Sequence, residues 1–556
     1  MRSAPKSRTR LSRQQERTRP RTRTRRRRRK RPNLRARAVE GAISKRAVRA
    51  FPPQSESESP ARFFCFMVQI IVCDRKAMPE KREYHRELQR LRALRQRVMA
   101  AASPAVTPPP CWQVNPTMEL LVSTWQGLPA LLEDGGDAPA PRLGAAHVLL
   151  WRQPGSGSLI VREATSRDLL ALKLVAEDID PRLAAREGGV GVAAIEGVLD
   201  RAVADGLLLR PASLLRRGED FPPGEEVDRT YFTSPVFTLQ WHLTQACDLH
   251  CRHCYDRSTR SSLGLDECLA VLDDLERFCR SRHVAGQVSF SGGNPLLSPH
   301  FLAVYRAAAE RGLQTAILGN PCSREQLAEI IAIQRPEFFQ VSLEGLPEHN
   351  DYIRGGGHFE RVLCFLDLLR DLEVYSMVML TLTRDNQAQV LPLAERLRGR
   401  VDLFTFNRLA PVGEGAALAM APPEGYPDFL AEYLAAAANN PCMALKDSLF
   451  NIALRHQARP LFGGCAGHGC GAAFNFVALL PDGELHACRK FSSPIGHIRQ
   501  GLDAVYDGTA ARRYRQGAVE CRDCPIRPVC GGCLAVTQGA GRDCLRQRDP
   551  YCFFPA

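Results

Sequence analysis

From Phe237 to about Leu409, short apolar runs alternate with stretches whose apolar residues recur every three or four positions. Strands are expected at 237–243, 287–291, 314–318, 338–343, 374–382 and 402–407, with a helix in every gap. That alternation dictates parallel strands joined by right-handed crossovers, hence an α/β fold. Six repeats are too few to close the eight-stranded barrel. Ligands in such folds sit at the carboxyl ends of the strands, so chemistry is to be sought in the segments that follow each one.

After the first strand comes Cys247-Asp248-Leu249-His250-Cys251-Arg252-His253-Cys254. Thiolates this close in a polar loop suit a cuboidal iron–sulfur cluster, in which each Cys binds one iron. Three ligands for four irons leave one corner open, as catalytic metal sites do. A partial zinc site, or thiols close by chance, is the plainer alternative. The second strand ends in Ser291-Gly292-Gly293-Asn294-Pro295, whose glycines let backbone approach a ligand; a tight turn explains them equally. The fourth ends in Ser342-Leu343-Glu344-Gly345, followed by Arg354, whose fork suits carboxylates. The sixth ends in Asn407-Arg408-Leu409-Ala410-Pro411. Glu344 also reads as a helix-start charge and Arg354 as half of a surface pair.

Twenty cysteines would suit a disulfide scaffold in a small secreted chain, but nine of these lie between Cys465 and Cys552 in a long one. Their CxxC-like spacings favour metal over disulfides. Cys470 stands ahead of Gly483 and Cys488, followed by Cys521, Cys524, Cys530, Cys533, Cys544 and Cys552. Such CxxC pairs suit zinc as well as iron. Cys268, Cys279, Cys322 and Cys364 fall in helical or strand repeats and read as core thiols.

The CxxxCxxC loop, with the aromatic His253 before its last Cys, resembles that of the radical S-adenosylmethionine (radical SAM) enzymes. The resemblance covers roughly residues 235–555. It implies a partial (β/α)6 TIM-like barrel at 235–440, which six repeats fit. It further implies a 4Fe–4S cluster on Cys247, Cys251 and Cys254 whose open iron takes S-adenosylmethionine. Cleavage by one electron, from a donor such as flavodoxin or ferredoxin, would yield a 5′-deoxyadenosyl radical that abstracts substrate hydrogen. His253, Gly292, Gly293, Asn294, Pro295, Ser342, Glu344, Arg354 and Asn407 would line the S-adenosylmethionine site. Asn294 stands where the family usually has Glu. The tail, 460–556, is similar to the SPASM extension of radical peptide maturases, which holds two auxiliary 4Fe–4S clusters. Cys465, Cys470, Cys488 and Cys533 would hold the inner one, and Cys521, Cys524, Cys530 and Cys552 the outer, with Cys544 as spare or substitute for Cys552. The last gap of the quartet is two residues where the family usually has three.

Ahead of the barrel, residues 118–225 read as a winged-helix outline. The hairpin 147–151/159–162, a helix capped at Thr165 or Ser166, a helix from Val192 to Asp205 and a closing run Leu207–Leu209 compose it. It is similar to PqqD-like domains, in which a leader peptide adds as an extra strand. Residues 78–110 form a charged helix and a Pro-rich linker. Residues 1–77 read as a disordered Arg-rich arm, or as sequence upstream of a true start at Met78.

The formal charge of +15 suggests nucleic acid, but residues 1–50 hold 21 Lys and Arg against two Asp and Glu. The remainder, with 54 basic and 58 acidic residues, is mildly acidic, so no specific nucleic-acid partner is expected. No apolar run reaches the length of a membrane span, and a cytoplasmic enzyme is expected. The expected function is a radical SAM maturase of a small ribosomal peptide bearing a leader, of the selenobiotic (thio- or selenoxazole) type. The alternatives are an anaerobic sulfatase-type formylglycine maturase and a non-enzymatic zinc or iron–sulfur binding protein.

Overall fold

The computed structural model describes residues 82–102, 108, 109, 111–132, 139–218, 221 and 227–555. The Arg-rich arm and Met78 lie outside the described residues. The first helix, α1 (Arg82–Ala100), is charged, yet Leu91 and Val98 are buried. They pack with Leu121, Trp125, Val148 and Leu150 of a three-stranded antiparallel sheet. That sheet runs β2 (Glu119–Gln126), β3 (Arg142–Arg152) and β4 (Leu159–Glu163), in that order, after the short β1 (Gln113–Val114). Because side chains alternate across a strand, Leu149 and Trp151 of β3 face the other way. There they meet α2 (Ser166–Ala176), α3 (Pro181–Gly188) and α4 (Val192–Ala204) in a cluster that includes Leu172, Ala185, Ile195 and Leu199. The unbroken run Val148–Trp151 is therefore apolar because both faces are covered. Thr165 caps α2 in a reciprocal box with Asp168. The closing β5 (Leu208–Leu209) pairs with β1 rather than with the hairpin.

Six parallel strands follow: β6 (Val236–Thr244), β7 (Ala285–Gly292), β8 (Gln314–Leu318), β9 (Phe339–Ser342), β10 (Ser376–Leu382) and β11 (Leu403–Arg408). They neighbour one another in sequence order, each pair parallel, with helices in every crossover. This is the partial TIM-like barrel, with each expected strand within two residues of its place. The first crossover helix, α5 (Leu265–Ser281), buries Cys268, Val271, Leu272, Leu275, Phe278 and Cys279 at three- and four-residue spacing. α6 (Phe301–Glu310), α7 (Arg324–Ile333), α8 (Pro347–Arg354), α9 (His358–Asp371) and α10 (Val390–Leu397) complete the outer layer. Among the expected core thiols, Cys268 and Cys279 are buried and Cys322 partly so, but Cys364 on α9 is exposed. Its helix turns its apolar stripe inward through Val362, Phe365, Leu366 and Leu369, leaving position 364 outward.

A tertiary arrangement unread from spacing joins the tail to the barrel. β12 (Phe476–Leu479) lies parallel to β6, and β13 (Glu484–His486) and β14 (Pro494–His497) continue antiparallel, making one nine-stranded sheet. No described helix is long and apolar enough to cross a membrane.

The end of β11 is tied to the tail by charge. Buried Arg408 pairs with Asp447 at 2.5 Å and bidentately with Asp549, both contacts at 2.7 Å. Asp549 also accepts from the N–H of Cys533 at 2.8 Å. Arg408→Met would leave two buried carboxylates uncompensated and is expected to remove about 3–5 kcal/mol. Arg408→Lys would recover only part, lacking the fork. Urea denaturation of the three proteins checks this.

Candidate functional site

The carboxyl ends of β6–β11 open into a cavity of about 600 Å3. Its walls include Cys247, Cys251 and Cys254, with His253 between them. Gly292 and Gly293 after β7, Ser342 on β9, Arg354 on α8 and Asn407 on β11 also reach it. Asn294, Pro295 and Glu344 do not; Pro295 opens a single turn over 295–297, and Asn294 and Glu344 have work within the protein instead.

The glycines answer to the cysteine loop rather than to open space. A Cβ on Gly292 would stand 2.2 Å from Thr244 O, and one on Gly293 2.3 Å from Ala246 O. Gly292 also holds φ +124°, which side chains disfavour. This close approach lets Gly293 N–H donate to Thr244 O and Asn294 N–H to Ala246 O, both at 2.8 Å. Those amides are therefore committed to the loop. The Asn294 side chain caps the turn at Leu296 N and donates to Asp248 at 2.9 Å. Asn320, two residues past the β8 end, donates to the same Asp248 oxygen at 2.6 Å and lies 3.8 Å from the Cys247 sulfur. On the far side, Arg257 donates to Cys251 O at 2.7 Å and Glu414 N–H to Cys254 O at 2.9 Å. Three sequence segments thus pin one loop. Asp248 and Asn320 were missed from spacing, although Asn320 stands where the strand-end rule points.

Glu344 forms the second node. It is buried, accepts from Arg354 at 2.6 Å and from Thr381 N–H at 2.8 Å, and lies 3.1 Å from His253 Nε2. Burial alone would raise its carboxyl, but His253, Arg354 and these hydrogen bonds outweigh it and hold the group well below the carboxylate range. Arg354 in turn lies 3.8 Å from the Cys251 sulfur. The arginine expected to meet a ligand carboxylate is already paired with one, and Glu344 positions both Arg354 and His253.

The tail thiols fall into two groups. Cys470 is pushed up to about 12 by burial first, then by neighbouring Cys533, Cys465 and Cys488. Cys521 is pushed up to about 12 by burial and then by Cys552 and Cys524. Cys530 is raised by burial and by those same three thiols. Cys544 is buried apart, with no thiol among the groups acting on it. Among the described residues, no three His, Cys, Asp or Glu side chains close on one point as the ligands of a single metal ion do. Directly after Cys488, Arg489 and Lys490 reach the cavity, bringing the tail to the mouth of the barrel.

Because the folded-state pKa of Glu344 is depressed, its stabilisation is complete above the unfolded value and fades as pH falls toward the folded one. Against Glu344→Gln, the wild type is expected to be more stable by a constant margin above about pH 5, narrowing below about pH 4. Urea midpoints of the two proteins across that range check it.

The donor set suits an iron–sulfur cluster with a small polar ligand. Three thiols border the cavity, and His253 Nδ1 is buried there with no hydrogen-bond partner. Residues 241–397 match the Radical SAM superfamily. The chain is similar to an AdoMet-dependent heme synthase of Methanosarcina barkeri, 25% identical over 57% of this chain and 96% of that protein. It is also similar to the mycofactocin maturase MftC of Mycobacterium ulcerans, 28% identical over 56% of this chain and 87% of that one. Streptococcus suis SuiB bound to its precursor peptide SuiA superposes with a TM-score of 0.49 and 16% identity, over 73% of this chain and 96% of that one. Residues 241–397 are a radical SAM domain, and the chain is an enzyme working with a 4Fe–4S cluster and S-adenosylmethionine.

Proposed function

We propose that the enzyme is a maturase that modifies a ribosomally made peptide, with the three-cysteine loop as its radical centre. The observation that carries the peptide substrate is the β2–β3–β4 sheet ahead of the barrel. Among the described residues, β4 pairs only with β3, leaving its other edge for an added strand. The relative MftC, named a maturase, supports the same reading. The heme synthase relative, matched along nearly its whole length, favours a tetrapyrrole as the second reading for the barrel.

S-adenosylmethionine on a reduced 4Fe–4S cluster supplies hydrogen-atom abstraction. Cys247, Cys251 and Cys254 would hold that cluster. Ser342 on β9 and Asn407 on β11, with only β10 between their strands, would offer hydrogen bonds to the ligand's polar groups. Glu344 keeps Arg354 and His253 in fixed orientation beside the cluster loop, since each is tethered to the same carboxylate. Cys465, Cys470, Cys488 and Cys533 would form the inner auxiliary ligand set of a SPASM-like tail, and Cys521, Cys524, Cys530 and Cys552 the outer. An electron donor of the flavodoxin or ferredoxin class completes the system.

Three such clusters carry about twelve irons, falling to about eight when Cys247, Cys251 and Cys254 are changed to Ala. With dithionite and S-adenosylmethionine, the wild type is expected to release 5′-deoxyadenosine and the variant none. Zinc without sulfide would overturn the ligand assignment. A peptide encoded beside the gene is expected to slow hydrogen exchange across 159–163, whereas a porphyrin acting as substrate with no such effect would favour the second reading.

A further inference from the structure

The cavity wall carries an imbalance of charge. Six cationic side chains line it, namely Arg257, Arg260, Arg354, Arg408, Arg489 and Lys490, against the single carboxylate of Asp256. Four of the six are answered from behind the wall. Arg354 pairs with Glu344, Arg408 with Asp447 and Asp549, Arg260 with Asp482 and Glu484, and Arg257 with Glu414. Lys490 lies beside the inner thiols Cys465, Cys488 and Cys533 and has no planar fork, so only the arginines can offer a carboxylate two parallel bonds. Asp256 is occupied by Ser258 and Gln245.

Arg489 is left. Its guanidinium donates to Ser291 Oγ at 2.9 Å and forms no ion pair among the described residues. It is partly buried, on the cavity wall, one residue from Cys488 and against the last residue before Gly292. A partly desolvated guanidinium with one neutral acceptor has four N–H donors unspent, and its planar fork matches a carboxylate bidentately. We infer that Arg489 is a specificity residue that anchors a carboxylate of the substrate between the three-cysteine loop and the inner thiol group. This rests on the radical maturase reading above and adds to it a substrate class: a peptide acidic at, or ending near, the reacting residue. S-adenosylmethionine carries a carboxylate too, and the test separates the two sources.

The test uses reconstituted holoenzyme and phenylglyoxal, with peptide mapping by mass spectrometry to follow modification of Arg489 and, as an internal reference, of the exposed Arg499 outside the cavity. The probes are the peptide acetyl-Gly-Glu-Phe with a free carboxyl terminus and its neutral counterpart acetyl-Gly-Gln-Phe-amide. Parallel tubes hold S-adenosylmethionine or its decarboxylated form without peptide. The acidic peptide is expected to slow modification of Arg489 at least fivefold, and the neutral one to leave it unchanged. Equal protection by both peptides, or by neither, overturns the inference. So does full protection by S-adenosylmethionine alone that its decarboxylated form does not reproduce, since the cofactor's carboxylate is then the occupant. Arg489→Gln is expected to weaken binding of the acidic peptide about tenfold without changing that of the neutral one; equal loss for both overturns the carboxylate role. If that variant does not fold, labelling of the wild type decides alone. Absence of 5′-deoxyadenosine from the wild type would refute the radical reading, whereas the protection pattern reports on the carboxylate site regardless.

Discussion

The mouth of the barrel depends on a backbone joint between two neighbouring strand ends. Thr244 O and Ala246 O accept from the amides of Gly293 and Asn294 across a gap that no Cβ would tolerate. This joint sets the path of the loop that carries Cys247, Cys251 and Cys254, and Asp248 then locks it through Asn294 and Asn320. Removing hydrogen-bond freedom from the loop before any ligand arrives is preorganisation, in which the ordering cost is met during folding rather than binding. The Gly-Gly pair thus serves ligand binding indirectly, by shaping the loop.

The second organising fact is that the tail is built into the barrel sheet. β12 extends β6 on the side away from β7, so the chain leaving β13 delivers Cys488, Arg489 and Lys490 to the same cavity as the first cysteine loop. Arg408, reaching from β11 to Asp447 and Asp549, closes the other side, and Asp549 reaches on to Cys533. A buried fork with two carboxylates fixes orientation, while two unpaired carboxylates would be costly. The tail therefore holds its position relative to the radical loop by ladder hydrogen bonds on one side and by a charge network on the other.

Charge pairing also decides which cavity residues are free to act. Arg354 and Glu344 both attract notice as candidate ligand contacts, and the structure spends each on the other. Arg489 attracts none from sequence, yet it keeps most of its donors. Burial of a strong cation beside its partner removes it from ligand chemistry as surely as mutation would, and that pairing is a property of three dimensions.

The alternation of strand and helix from Phe237 to Leu409 determined the parallel sheet, because period-two and period-3.6 patterns bury apolar faces in only one way each. The spacing of Cys247, Cys251 and Cys254 determined that one strand-end loop would carry three thiols, since local spacing survives any fold. Thr165 capping α2 was legible for the same reason. What spacing could not carry were contacts between residues far apart in sequence: β12 beside β6, Asp248 held by Asn320, Cys552 rather than Cys544 beside Cys521 and Cys524. The helix α1 read as charged because its apolar residues are few, and only the sheet beneath shows why Leu91 and Val98 suffice. Sequence determined which segments fold and which side chains they present; tertiary structure alone decided which of those side chains are already partnered, because a partner is a matter of distance in space.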